Sequence, residues 1–169
     1  MANKVLVGYA SKYGATKEIA EKIGEALKKD GIAADVLPLK NVKKLAEYQA
    51  AVIGSAVYIG QWYKPAAKFL KKNESALAAM PVWIFSAGPS GKGDPIELSK
   101  GWKYPIALKP IIDNINPRDI AVFHGTLNIE KMSGLERWVV QRVGGELGDF
   151  RDWEMITAWA KKVAGEMKK

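Results

Sequence analysis

The residues best suited to chemistry gather in short loops, each following an apolar run of small and β-branched side chains. The first loop is Ser11-Lys12-Tyr13-Gly14-Ala15-Thr16-Lys17, between the apolar run Val5-Leu6-Val7-Gly8-Tyr9 and a helical pattern. A helix N-terminus presents unpaired amides and a partial positive charge, so it attracts a phosphate. Ser11 and Thr16 add hydroxyl donors, Lys12 and Lys17 add charge, and Gly14 allows close backbone approach. The same residues also fit a plain strand-to-helix turn with Thr16 as its cap. Neither common nucleotide motif is present in this loop. Gly-x-Gly-x-x-Gly is missing, and the nearest imitation of Gly-x-x-x-x-Gly-Lys-Ser/Thr, Gly88 to Gly93, fails the spacing. A hydroxyl-rich, glycine-poor loop suits a terminal monoester phosphate better than a pyrophosphate.

The second loop follows Gly54-Ser55 and reads Ala56-Val57-Tyr58-Ile59-Gly60-Gln61-Trp62-Tyr63. Its three aromatics at a strand end can stack on or flank a tricyclic ring, and Gly60 lets a peptide turn toward that ring. Tyr58 and Trp62 could instead pack the following helix. The third loop, Ser86-Ala87-Gly88-Pro89-Ser90-Gly91, offers small residues whose amides can approach ring carbonyls closely, although its Gly/Pro content also fits an ordinary loop. His124 ends a further apolar run. It reads either as a contact or acid beside the ring or as a hydrogen-bonded strand-end histidine. No residue is assigned a catalytic role.

The elements that must position these loops alternate in type, as in βαβ units around a parallel sheet. Val5–Tyr9, Ala34–Leu39, Ala50–Ala56, Pro81–Ser86 and Ile120–His124 read as five strands. Helical patterns cover Thr16–Lys29, Val42–Glu47, a segment opened by Pro65, Ile106–Ile115, Glu130–Val143 and Trp153–Met167. Asp30-Gly31 ends the first helix, and Gly144-Gly145 with Gly148-Asp149 separates the last two. The expected architecture is a single domain over residues 1–169, a doubly wound α/β sheet with helices on both faces. Right-handed crossovers bring the C-terminal ends of all strands to one edge, where ligands of such sheets bind.

The first strand with Ser11 to Lys17 resembles the FMN phosphate loop of flavodoxins. It looks closest to the branch that includes menaquinone-dependent protoporphyrinogen dehydrogenase. Ser11 and Thr16 match the first and last hydroxyl positions of that loop. Tyr13 departs from the hydroxyl usual in short electron-transfer flavodoxins, and Ala15 from their asparagine. Ser86-x-Gly88-Pro89 also occurs in this branch, and Gly148 to Ala160 resembles the family's ending. The resemblance implies a flavodoxin-like three-layer sandwich with strand order 2-1-3-4-5. It also implies FMN as cofactor, held by residues 11–16, 56–60, 62, 86–91 and 124. Three functions follow from it: electron transfer through FMN, quinone-dependent protoporphyrinogen oxidation, or a non-catalytic FMN-binding module.

With no cysteine and one histidine, the chain has no thiol chemistry, no iron–sulfur cluster and no metal site of its own, so redox work requires an organic cofactor. The net charge of +8 reads as a solvated lysine surface or as attraction to an acidic partner or an anionic membrane face. A redox protein or a quinone is the expected partner. Nucleic acid is not, because the lysines are dispersed and no recognition motif appears. The N-terminus is too short and too quickly polar for a signal peptide. The expected location is cytoplasmic, with peripheral attachment at the inner membrane face as an alternative.

Overall fold

The computed structural model describes residues 3–127, 129–143 and 147–169. In chain order the elements are β1 (Lys4–Ala10), α1 (Ala15–Lys29), β2 (Ala34–Pro38), β3 (Tyr48–Tyr58), β4 (Gln61–Trp62), α2 (Lys64–Lys72) and α3 (Glu74–Ala78). They continue with β5 (Val82–Ala87), α4 (Pro95–Leu98), α5 (Lys109–Ile115), β6 (Asp119–Phe123), β7 (Thr126–Leu127), α6 (Gly134–Val143), β8 (Gly148–Asp149) and α7 (Trp153–Met167). The main sheet runs β2-β1-β3-β5-β6 with every one of these pairs parallel, the order expected from the sequence.

Burial explains why β1, β3 and β5 read as continuous apolar runs. Helices cover both faces of the sheet, so neither side of a central strand meets water. One face packs against α1 and α7 through Ile19, Ile23, Leu27, Ile156, Trp159 and Val163. The other packs against α2, α3 and α5 through Ala66, Phe69, Leu70, Leu77 and Ile112. Phe85, Phe123 and Trp159 form an aromatic knot with ring centroids 5.5 to 6.3 Å apart. The backbone of Gly54 lies directly under the Phe85 ring, where an added Cβ would fall 1.9 Å from Cζ.

Three expected helices differ from the sequence reading. Residues 42–47 do not form one helix. Two 3-10 turns, Leu39–Asn41 and Leu45–Glu47, flank extended Val42 and Lys44, which lets Leu39 and Leu45 both reach the core. The 106–115 helix begins as a 3-10 turn, Ile106–Leu108, before α5. The 130–143 helix starts at Gly134, because the Ser133 hydroxyl accepts from Glu136 N–H and so marks a helix start. The Gly144-Gly145 break lies outside the described residues.

Candidate functional site

The ends of β1, β3, β5 and β6 open onto one cleft of about 1170 Å³ at the C-terminal edge of the sheet. The chain turns from β1 into α1 through Gly14, whose φ of 94° places it in the left-handed region that glycine tolerates. Glu18 N–H makes the first intrahelical bond, to the Gly14 carbonyl at 3.1 Å. The amides of Ala15, Thr16 and Lys17 therefore precede the helical ladder. Ser11 Oγ accepts from Gly14 N–H at 3.0 Å, which orders the loop and leaves the hydroxyl hydrogen to donate elsewhere. Thr16 is buried yet lines the cleft, and the helix cap is Gly14.

The second wall comes from a hairpin. β4 folds back antiparallel on the end of β3, pairing Val57 with Trp62 and Tyr58 with Gln61. The two turn residues, Ile59 and Gly60, have φ of 51° and 71°, the signature of a tight two-residue hairpin. Tyr13, Tyr58 and Tyr63 line the cleft as a chain of edge-on rings, with centroids 6.1 and 5.9 Å apart. Burial pushes the Tyr58 phenol up to about 12, with Lys12 working in the opposite direction, so it stands as a neutral hydroxyl. Tyr13 Oη is buried without a hydrogen-bond partner. A buried hydroxyl left in this state costs about 1–3 kcal/mol, which a polar ligand in the cleft would relieve.

Fourteen of the nineteen expected site residues line this cleft: Ser11, Lys12, Tyr13, Ala15, Thr16, Ala56–Gly60 and Ala87–Ser90. Gly14 serves through its turn. Trp62, Ser86, Gly91 and His124 stand off the cleft wall. Trp62 donates from Nε1 to Ser86 Oγ at 2.8 Å, and Ser86 donates to the Lys103 carbonyl at 2.7 Å, so this pair ties β4 and β5 to the 87–104 loop. Both ring nitrogens of His124 face loop carbonyls, Pro89 at 3.2 Å and Gly93 at 2.6 Å, which fits the strand-end role. Gly88 N–H is bonded to the Phe123 carbonyl at 3.1 Å and Pro89 has no N–H. The amides this loop can offer a ligand therefore begin at Ser90.

The sequence reading missed a further wall, opposite the first loop. Leaving β6, the chain forms β7, makes an excursion through α6 and returns as β8, antiparallel to β7. Lys131, Met132, Leu135, Glu136 and Val139 from the excursion line the cleft. The Lys12 ammonium pairs with Glu136 and lies 5.2 Å from the Tyr13 ring centre, so the first loop and α6 are joined across the opening. Two-residue strands leave no readable periodicity, and the amphipathic pattern of α6 does not say which surface it meets.

A phosphate-seeking helix start, an aromatic wall and a small-residue loop at the switch point of a doubly wound sheet define a mononucleotide-binding α/β protein. The chain belongs to the Flavodoxin domain family, whose model matches residues 6–153; FMN is the cofactor of that family. It is 26% identical to the protoporphyrinogen IX dehydrogenase [quinone] of Escherichia coli K12, over 95% of this chain and 94% of that protein. The Leishmania major protein of the same name is 24% identical, over 95% of this chain and 74% of its own length. Among solved structures, a flavodoxin from the Archaea superposes with a TM-score of 0.65 at 16% identity, covering 98% of this chain and 99% of its own. No helix among the described residues is long and apolar enough to cross a membrane.

Proposed function

We propose that this chain binds FMN in the cleft and acts as a flavodoxin-type redox protein. The observation that carries the reading is the convergence of three unlike walls on one opening: pre-ladder amides with hydroxyls, tyrosine rings, and a loop of small residues. Ser11, Gly14, Ala15 and Thr16 would hold the phosphate, and the buried, unpartnered Tyr13 hydroxyl fits a polar group arriving beside them. Val57, Tyr58 and Ile59 would flank the ring on one side and the Ala87–Ser90 loop on the other. Bound FMN supplies the exchange of electrons and hydride that no side chain of this protein can perform.

The chain's own contribution is binding, orientation and electrostatics. Gly14 and Ser11 fix the loop so that its amides point without rearrangement. Neutral Tyr58 can donate a hydrogen bond but brings no negative charge beside an electron-rich ring. Arg151, itself at the cleft, anchors the start of α1 through Glu18 and is held in turn by Asp149. Adding FMN to the purified protein and recording the visible spectrum tests the proposal. A shifted, saturable flavin band that is reversibly reduced supports it, and a protein that takes up no FMN removes it.

Quinone-dependent oxidation of protoporphyrinogen is the second reading. Two observations favour it: relatives of that name match along 95% of the chain, and the cleft exceeds the about 300–1,000 Å³ usual for one small molecule. Among the described residues no set marks a dedicated tetrapyrrole site, so electron transfer stands first. Anaerobic turnover of protoporphyrinogen with menadione would reverse that order. Reversible reduction without such turnover keeps it.

A further inference from the structure

Helix α2 carries its lysines as a stripe. Lys64, Lys68, Lys71 and Lys72 stand at i, i+4, i+7 and i+8, on the face opposite the buried Ala66, Phe69 and Leu70. All four are exposed. The segment before β3 extends the same charge. Leu39, Val42 and Leu45 pack into the core that holds Ala66, Phe69 and Leu70, which sets this segment beside α2. Its Lys40, Lys43 and Lys44 are exposed as well.

Residues 40–72 thus hold seven lysines against one carboxylate, Glu47. Glu47 already acts on the Lys4 ammonium. The next carboxylate along the chain, Glu74, accepts from Asn114 Nδ2 at 3.1 Å. Among the described residues none of the seven lysines forms an ion pair. Lysines elsewhere do find carboxylates: Lys17 with Glu21, Lys29 with Glu25, Lys109 with Asp113 and Lys162 with Asp119. Like charges four apart on a helix repel one another, so this face stands uncompensated until negative charge arrives from outside.

Two further observations select the kind of partner. The large exposed apolar side chains, among them Ile59, Leu135 and Trp138, all lie outside residues 39–47 and 64–72. Seating in a bilayer draws on such residues as well as on charge, which favours a protein surface over a membrane. Lys64 also follows directly on Tyr63, the end of the tyrosine wall, so an occupant of the stripe lies beside the cleft. We propose that the lysine face of α2 and the 40–44 segment docks the acidic surface of a partner protein and brings it alongside the cleft. Its charge complementarity sets the association rate and the salt dependence of the complex.

The probe is a small acidic ferredoxin, titrated into the full chain while amide chemical shifts are followed. Shift changes are expected to concentrate on residues 40–44 and 64–72. The K64E/K68E/K71E/K72E variant should bind at least about tenfold more weakly, and raising the salt from about 0.05 to about 0.3 M should weaken the wild-type complex similarly. Reversing four exposed lysines elsewhere, K100E/K161E/K168E/K169E, should cost less than about twofold. Equal losses from both variants would show a response to net charge alone and overturn the proposal. So would shifts mapping to another face, or phosphatidylserine vesicles that distinguish wild type from the α2 variant while the ferredoxin does not. Circular dichroism confirms that both variants fold. FMN uptake, scored separately, keeps failure of the redox reading distinct from failure of the docking face.

Discussion

Arg151 Nη1 donates to the carbonyl of Ala15 at 3.2 Å, linking a residue two positions before α7 to the first residue of α1. The same guanidinium reaches Glu18 at 3.0 Å and grips both Asp149 oxygens, at 2.9 and 2.7 Å, while its side chain is only 9% exposed. The end of the chain therefore fixes the angle at which α1 presents its opening amides to the cleft. Sequence separation hides this link, because the partners stand 136 positions apart.

Replacing Arg151 with Gln should therefore act on both stability and binding. It breaks a bidentate, charge-assisted contact whose carboxylates are half exposed, and loosens the start of α1, at an expected cost of about 1 kcal/mol. FMN affinity should fall about tenfold, the equivalent of about 1.4 kcal/mol. Urea titration and an FMN titration of the variant check the two parts. Unchanged affinity would show that the start of α1 is held without Arg151.

The hairpin at the cleft carries backbone strain. Ile59, a β-branched residue, sits at φ 51° and is 71% exposed, so it meets the cost of the left-handed region with little burial to offset it. Ile59→Asn should stabilise the protein by about 1 kcal/mol, which raises Tm by about 2–4 °C in a chain of this size. Thermal unfolding with the cleft free of ligand is the measurement. A lower Tm would mean that the Ile59 side chain supports the hairpin by packing.

Ser86→Ala removes the acceptor of Trp62 Nε1 and the donor to the Lys103 carbonyl. The expected loss is about 1–2 kcal/mol, because the buried Trp62 Nε1 is left unpaired and the Lys103 carbonyl loses its donor. Proteolytic cutting within residues 92–103 should speed up, since this hydroxyl is one of the ties holding that loop. A change below about 0.5 kcal/mol would show that other contacts hold it.

Stability should fall in acid. The Lys4 ammonium, with help from the Tyr48 hydroxyl, holds the Asp35 carboxyl below its ordinary value against the opposing effect of burial. Arg151 does the same for Asp149. Because these groups ionise more readily when folded, their stabilisation is complete above the unfolded value near pH 4. It is lost as pH falls through the folded value. Urea midpoints should drop below about pH 4, and Asp35→Asn should reduce that slope while lowering stability at neutral pH. An unchanged slope in the variant would assign the acid response to other carboxylates.

How much of this was readable from sequence depended on the range of the deciding contact. β1, β3 and β5 announced themselves as apolar runs, and α1 and α7 by the spacing of Ile19, Ile23, Leu27 and Ile156, Trp159, Val163. The turn from β1 into α1 was readable because its signals are local, a few residues at one helix start. Ser86 was not, since a small hydroxyl at a strand end looks the same whether it faces a ligand or a neighbour. Its partner is the carbonyl of Lys103, 17 residues on. His124 has the same ambiguity, resolved by Pro89 and Gly93. The α6 wall escaped because its place is set by the β7–β8 pairing, two residues on each side.

Comparing the affinities of FMN and riboflavin for the same purified chain isolates the phosphate, since the ring is common to both. With the phosphate seated on the Ala15 and Thr16 amides and the Ser11 and Thr16 hydroxyls, FMN should bind at least about 100-fold more tightly, about 2.7 kcal/mol. Equal affinities would mean that the start of α1 does not hold the phosphate, and the site as built here would be wrong.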